Sequence, residues 1–399
     1  MKSDKYFSKL SSYDNLDIAW KQIKTAQNVY YKNYYRQLFM AYDFASEQNI
    51  ESLSIRLKGR SYEPSNVLKF YLPKPSGLHR PITFLHLDDL IVYQAIVSVL
   101  ASKFKAQRKE VENISVFSNI LNSDDKKPLF FFRKWQEGYA RFKRKIKDYF
   151  DNGNVWASHF DLAAYYDTID HSILIHQISP KNIYEDFIEL MKKCLNCWST
   201  HTTNRLSHGI PQGPISSAFI AEIYFLPIDR KIVKNLKYVR YVDDIKIFGK
   251  SEEEVQEGII FLEHECKERG LIPQSKKFSI IKCNTLEDAI GKEQSLSSEE
   301  KDKLQKDPKE TFLMFKNAFD SDNNVLDISK VRYILKSSGK NDDILHFVSN
   351  IIKRYPDLVD EFSSFFINYL NDLTSLKYFI PNVYNILYHI NMLRVNIGK

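Results

Sequence analysis

The stretch KYVRYVDDIKIFGK, from Lys237 to Lys250, sets two adjacent acids, Asp243 and Asp244, between segments of strand formers. Val239, Tyr241, Ile245, Ile247 and Phe248 favour a pleated strand, and Ile245–Lys246–Ile247 keeps a period of two. Adjacent acids repel within a strand and suit a tight turn, where both side chains stay hydrated. The segment is therefore expected to be a hairpin with the acids at its tip. Two readings of such a pair are open: a solvated tip with no chemistry, or carboxylates held at a turn to bind divalent metal. A third carboxylate elsewhere in the chain would decide between them.

That carboxylate is Asp161, in HFDLAAYYDTIDH. Val155 to Phe160 reads as a strand that ends at the acid and then turns into a helix. Two acids from one hairpin and one from a neighbouring strand suit two-metal phosphoryl transfer. Hard magnesium ions prefer carboxylate and carbonyl oxygen, and a pair about 3.5–4 Å apart activates a 3′-hydroxyl and neutralises the leaving pyrophosphate. Mg2+ is the expected ion, with Mn2+ as a substitute.

At 399 residues the chain can form two or three domains. A formal charge of +7 leans toward a polyanionic partner. The first twenty residues hold no apolar core of signal-peptide length, and the longest apolar run, Leu90–Ala101, is interrupted by Gln94 and Ser98. A cytoplasmic protein with no membrane partner is expected. Cys194 and Cys197 form a CxxC with no second pair at zinc-ribbon spacing, so reduced thiols on a helix are expected.

Along the chain, Asn15 to Glu47 reads as helix, and LKFYLPKPSGLHRPI (Leu68–Ile82) as strand, Pro/Gly turn and strand. Phe130–Phe150 is amphipathic: Trp135, Tyr139, Phe142, Ile146 and Tyr149 recur every three or four residues, with Lys134, Arg141, Lys143, Arg144, Lys145 and Lys147 on the other faces. GIPQGPISSAFIAEIYFLPID (Gly209–Asp229) is a Gly/Pro loop entering an apolar helix, and the hairpin is followed by an acidic helix from Ser251 to about Arg269. Residues 284–307 are polar enough to be a linker. The rest reads as helix, with Asp327 and Asn341 as caps and a third helical segment from Asp357 to Asn371.

Taken in order, RPI at Arg80–Ile82, FDLAAYYDTIDH, GIPQGPISS, YVDD and GLIPQSKK resemble the fingers and palm motifs of the reverse transcriptases. The resemblance covers roughly Leu68 to Ile281. It implies an α+β right-hand polymerase with fingers and palm over residues 61–283. A helical extension over 1–60 precedes them, a linker or the start of a thumb fills 284–306, and an all-α C-terminal domain, thumb-like or helical-repeat-like, fills 307–399. By motif position, Asp161, Asp243 and Asp244 would be catalytic and would bind metal together with the Leu162 carbonyl. Lys74 and Arg80 would clamp the triphosphate, Ala163 and Ala164 would offer backbone N–H groups to phosphate, and Gln212 would touch the incoming nucleotide and template. Lys277 would neutralise or protonate pyrophosphate. Tyr166, five residues after Asp161, would wall off the 2′ position of the sugar and so select deoxynucleotides.

The segments GIPQGPISSAFIAEIYFLPID, NISVFSNILN and LFFFRKWQEGYARF, with the helical end, look most like the bacterial unknown-group and abortive-infection reverse transcriptases of antiphage defence. The resemblance implies a magnesium-dependent polymerase using deoxynucleoside triphosphates, with DNA as product. Its template would be RNA, such as a dedicated non-coding RNA, and the chain could form a homo-oligomer. Two alternatives stay open: a template-independent or protein-primed DNA polymerase, and a non-catalytic RNA-binding scaffold. The basic residues Lys330, Arg332, Lys336, Lys353 and Arg354 of the C-terminal helices are further candidates for phosphate contact.

Overall fold

The computed structural model describes residues 4–26, 35–74, 78–122, 129–179, 185–199, 207–275, 278–291 and 307–369. They fall into two compact units, Met1–Lys69 with Ile82–Ile290, and Phe70–Pro81 with Gly291–Lys399.

The first unit is built on the helix Leu87–Lys109, whose apolar side chains face inward nearly all round: Leu90, Ile91, Val92, Ile96 and Val97 are buried. Two helices cover it, Tyr13–Thr25 and Ile215–Ile232. Gln94, which breaks the apolar run, is the polar link between all three. Its Nε2 donates to Gln22 at 2.8 Å and its Oε1 accepts from the Ser216 hydroxyl at 2.8 Å. A buried amide satisfied on both sides avoids the desolvation penalty of an unpaired one.

Four strands form the central sheet in the order β5 (Lys237–Tyr241), β6 (Asp244–Gly249), β3 (Trp156–His159) and β8 (Ser279–Lys282). Every pairing in it is antiparallel. Tyr238↔Ile247 and Arg240↔Ile245 share one face, and Val239↔Lys246 shares the other. The helix Glu252–Lys267, capped by Ser251, packs on β3, β6 and β8. On the other side, Phe142 and Ile146 of the helix Trp135–Asp151 join Val239, Phe248, Ala157 and Ala289 in one apolar cluster. Lys246, only 2% exposed, donates to the carbonyls of Ala289 and Ile290 and so caps the short helix Leu286–Ile290.

Four expectations change. Asn15–Glu47 is not one helix: Tyr13–Thr25 and Arg36–Phe44 are separate, and residues 27–34 lie outside the described set. Trp135 is 55% exposed although it continues the apolar period, because the helix begins at that residue and its first turn overhangs the cluster. The chain after Asp161 does not enter a helix at once. It forms the two-residue strand β4 (Leu162–Ala163), paired with β7 (Ile272–Pro273), then a turn, and becomes helical only at His171, where Asp170 caps the helix His171–Ile178. The polar segment 284–306 starts inside the first unit with the helix Leu286–Ile290, and 292–306 lie outside the described residues.

The second unit contains the tip of the hairpin formed by β1 (Leu68–Pro73) and β2 (His79–Phe84), and a set of helices. Those helices are Pro308–Lys316, Ile328–Ser337, Asp342–Ile351 and Val359–Phe366, with Asp307, Asp327 and Asn341 as N-caps of the first three. Their core includes Phe315, Val331, Ile334, Ile344, Val348, Phe362 and Phe365. Several of the basic residues considered for phosphate serve the unit itself. Arg332 and Lys336 lie 3.6 and 3.3 Å from Glu361, and Arg354 donates to the Asp322 carbonyl and to Asn324. No helix among the described residues is long and apolar enough to cross a membrane.

Candidate active site

The hairpin β5–β6 closes with Tyr241 opposite Asp244, leaving Val242 and Asp243 as its two-residue turn. Asp243 therefore sits in the turn, and Asp244 is the first residue of a strand. Val242 has φ of +60°. Hairpin turns need a positive φ at the first central position, a place that favours Gly, Asn or Asp. A β-branched residue held there stores on the order of 1–3 kcal/mol of strain. The surroundings must supply the restraint.

They do so from both sides of Val242. Its N–H donates to the Ser118 hydroxyl at 2.9 Å, and its carbonyl accepts from Arg240 Nη1 at 2.8 Å. Arg240 is fully buried. Its Nε and Nη2 take both oxygens of Asp229, at 2.9 and 2.7 Å, and Nη2 also reaches Glu222 at 2.7 Å. Both acids lie on the helix Ile215–Ile232, seven residues apart and so on one face. Burial works to raise the Glu222 carboxyl, but the charges of Arg240 and Arg108 and the Ser118 hydrogen bond outweigh it and hold the group below the ordinary carboxylate range.

The third acid arrives through the ladder. Phe160 and Ile245 exchange both backbone hydrogen bonds, each at 3.0 Å. The next position of that antiparallel register sets Asp161 against Asp244, on one face of the sheet and beside the turn that carries Asp243. The Asp161 carbonyl accepts from the Gln274 N–H at 2.8 Å, which ties the strand end to the segment after β7. Asp243 and Asp244 are exposed and Asp161 is half-buried. Carboxylates facing each other across a ladder repel, and a hard divalent cation between them would turn that repulsion into attraction. The donor chemistry therefore fits such an ion. Among the described residues no group of three or more His, Cys, Asp or Glu is arranged to hold a metal.

The loop that follows Asp161 is zipped to the GIPQG loop. Ile210 N–H donates to the Tyr166 carbonyl at 2.9 Å, Gly209 N–H to the Ile169 carbonyl at 2.8 Å, and His171 N–H to the Ser207 carbonyl at 2.9 Å. His171 Nε2 also lies 2.6 Å from the Gly209 carbonyl. Gly209 and Gly213 have φ of +85° and +129°, which only glycine adopts without strain, so the loop's path depends on them. The Gln212 carbonyl accepts from the Thr83 N–H at 2.7 Å. Tyr166 is half-buried, its ring set edge-on to Tyr165 at 5.9 Å. Tyr165 is anchored through its hydroxyl to the Ala221 carbonyl at 2.6 Å. Ala164 has φ of +48° and accepts from the Asp167 and Thr168 N–H groups, which turns the chain sharply after β4.

The fold thus gathers Asp161, Leu162, Ala163, Ala164, Tyr166, Gln212, Asp243 and Asp244 in the first unit. Lys74 and Arg80 belong to the second unit, at the end of β1 and within β2, with Arg80 exposed. Lys277 lies outside the described residues. Sequence reasoning missed Ser118, Glu222, Asp229 and Arg240. The available signal was two acids inside an otherwise apolar helix and an arginine on the same strand face as Tyr238, since buried charges require partners.

Comparison with known proteins gives the family. The family model described as reverse transcriptase (RNA-dependent DNA polymerase) matches residues 72–310. The chain belongs to that family. It is 25% identical over 198 residues to the group II intron-encoded protein LtrA of Lactococcus lactis subsp. cremoris, covering 48% of this chain and 29% of that protein. It is 26% identical over 191 residues to an uncharacterized 91 kDa protein in the cob intron of Schizosaccharomyces pombe, covering 47% of this chain and 21% of the other. The chain thus spans less than a third of the length of either relative. Among solved structures, Candida tropicalis telomerase with a fragment of telomeric RNA aligns with a TM-score of 0.41 at 16% identity, over 83% of this chain and 64% of that one.

Proposed function

We infer that this chain is a divalent-metal-dependent polymerase that adds deoxynucleotides to a 3′ end on an RNA template. The observation that carries the reading is the register that sets Asp161 against Asp244 beside the restrained turn of Asp243, in a chain of the reverse transcriptase family. Bound Mg2+, or Mn2+ in its place, would supply Lewis-acid activation of the 3′-hydroxyl and charge neutralisation at pyrophosphate. Asp161, Asp243, Asp244 and the Leu162 carbonyl would hold it. Tyr166 selects the sugar: its aromatic ring is the wall against which a 2′-hydroxyl would clash. Gln212 meets the nucleotide and template, and the backbone of Ala163 and Ala164 meets phosphate. Lys74 and Arg80 supply cations for the triphosphate, where the guanidinium fork of Arg80 matches phosphate oxygens, and Lys277 neutralises or protonates pyrophosphate.

The finer reading is an antiphage, abortive-infection type enzyme in the cytoplasm, working on a dedicated non-coding RNA and able to self-associate. The motifs GIPQGPISSAFIAEIYFLPID and NISVFSNILN support it.

The test is extension of a DNA primer on an RNA template with Mg2+, supplied with deoxynucleotides or ribonucleotides. The expected products are templated and made from deoxynucleotides, and Tyr166→Ala raises the ribonucleotide share of kcat/KM by tenfold or so, a discrimination worth about 1–3 kcal/mol in a steric pocket. Homopolymer made without template would overturn templated synthesis, and an unchanged ratio in an active Tyr166→Ala would remove that residue from sugar choice. Sequencing the RNA that co-purifies from cells tests the dedicated template.

A further inference from the structure

The segment NISVFSNILN, Asn113 to Asn122, has no assigned task in the chemistry above, yet it lies against the catalytic hairpin. Arg240 N–H donates to the Ser115 carbonyl at 2.8 Å and Phe117 N–H to the Arg240 carbonyl at 3.1 Å, so the segment runs alongside β5. Ser118, 1% exposed, is carried to the turn by this pairing. From there a closed circuit of hydrogen bonds can be followed. Val242 N–H donates to Ser118 Oγ at 2.9 Å, and Ser118 Oγ donates to Glu222 Oε1 at 2.7 Å. Glu222 Oε2 accepts from Arg240 Nη2 at 2.7 Å, and Arg240 Nη1 donates back to the carbonyl of Val242 at 2.8 Å. Asn119 Nδ2 adds a second donor to Glu222 Oε1 at 2.9 Å.

We propose that Ser118 and Glu222 are positioning residues for the metal-binding turn: with Arg240 they close a ring around the Val242 backbone and hold it at positive φ, so that Asp243 and Asp244 are presented beside Asp161. The ring has a direction. The serine hydroxyl has a single proton, which goes to Glu222, and so its oxygen is the acceptor that Val242 N–H needs. Glu222 takes both of its ring bonds as an acceptor, a role only the carboxylate fills without rearrangement. The same acid sits on the helix that the GIPQG loop launches, so the loop meeting nucleotide and template and the turn carrying two of the acids share one buried anchor. The proposal rests on the metal-dependent reading given under Proposed function.

The test compares the full-length wild type with Ser118→Ala, which deletes the bridging hydroxyl, and Ser118→Thr, which keeps it. Glu222→Gln serves as an independent break at the next link. Hydrogen-exchange mass spectrometry of peptides covering Tyr241–Asp244 needs no metal and no activity. In Ser118→Ala the Val242 amide should exchange about tenfold faster, the scale of one lost hydrogen bond. Mn2+ binding followed by electron paramagnetic resonance should weaken by a similar factor. Primer extension should lose kcat with KM for nucleotide nearly unchanged, since ground-state nucleotide contacts are intact. Glu222→Gln should move the same readouts in the same direction, and Ser118→Thr should restore exchange and Mn2+ affinity toward wild type. A folded Ser118→Ala with unchanged Val242 exchange and unchanged Mn2+ affinity would overturn the proposal. So would parallel loss of kcat and thermal stability with Mn2+ affinity unmoved, the mark of a merely structural serine. Equal Mn2+ binding by wild type and Asp243→Asn would refute the metal reading itself, and the metal-free exchange data keep that failure distinct from failure of the ring.

Discussion

The two compact units bury polar side chains in different ways. In the helical unit, the buried Asp327, Asn341 and Ser338 satisfy nearby backbone groups: the acid and the amide cap helix starts, and Ser338 bonds back to the Ile334 carbonyl at 2.6 Å. In the first unit, the buried Arg240, Glu222 and Asp229 join a strand, a helix and a distant loop, and the ring ends on the strained Val242, directly before the two exposed acids. Capping serves the fold of one helix and is interchangeable with other capping residues. A buried ion cluster adds little net stability over apolar packing, because desolvation offsets most of the attraction. Its retention beside the acids is explained by geometry rather than by stability.

Breaking each kind of burial sharpens that contrast. Arg240→Met removes the guanidinium that bonds both Glu222 and Asp229, leaving only the charge of Arg108 acting on Glu222, and should destabilise the first unit by about 3–5 kcal/mol in denaturant unfolding. Replacing all three together, with Arg240→Met, Glu222→Leu and Asp229→Leu, should recover most of that stability while primer extension stays lost, since the Val242 carbonyl then has no donor. Full activity in a stable triple variant would make the network ordinary packing. In the helical unit, Asn341→Ala removes the cap on Ile344 N–H at 3.1 Å and the 2.7 Å bond to the Pro308 carbonyl. It should cost about 0.5–2 kcal/mol, read as faster hydrogen exchange in Asp342–Ile351 with the sheet of the first unit unaffected. Exchange that quickens equally in β5 and β6 would show that the two kinds of burial are not separate.

Much of this was legible in the sequence because local pattern dictates it. Alternation in Val239–Phe248 gives the hairpin, and the Asp-Asp pair gives its tip to within one residue: the turn is Val242–Asp243, and Asp244 opens β6. Ser251, Asp327 and Asn341 announce their helices as caps. The ring was not legible, since Ser118 and Glu222 are 104 residues apart and nothing local pairs them. Val242 misleads for a related reason. A β-branched residue reads as strand, and only the bonds from Ser118 and Arg240 let it occupy a turn position that favours glycine or asparagine. The short β4 after Asp161 was missed because its two residues pair with Ile272–Pro273, far along the chain, rather than following the helical spacing of AAYYDTI. The sharing of one hairpin between two units, with Lys74 and Arg80 on the tip, likewise has no local signature.

The central claim is that Asp161, Asp243 and Asp244 act together on a metal. Its most direct measurement is Mg2+-dependent deoxynucleotide incorporation by purified wild type, Asp161→Asn and Asp243→Asn, run beside thermal unfolding of the same samples. Each variant should lose about a thousandfold or more in kcat/KM, since several kcal/mol of transition-state charge stabilisation depends on the missing oxygen. Without metal, Asp161→Asn should unfold at the wild-type temperature or slightly above it, because one of two facing carboxylates is neutralised. Incorporation within tenfold of wild type by either folded variant would contradict the account.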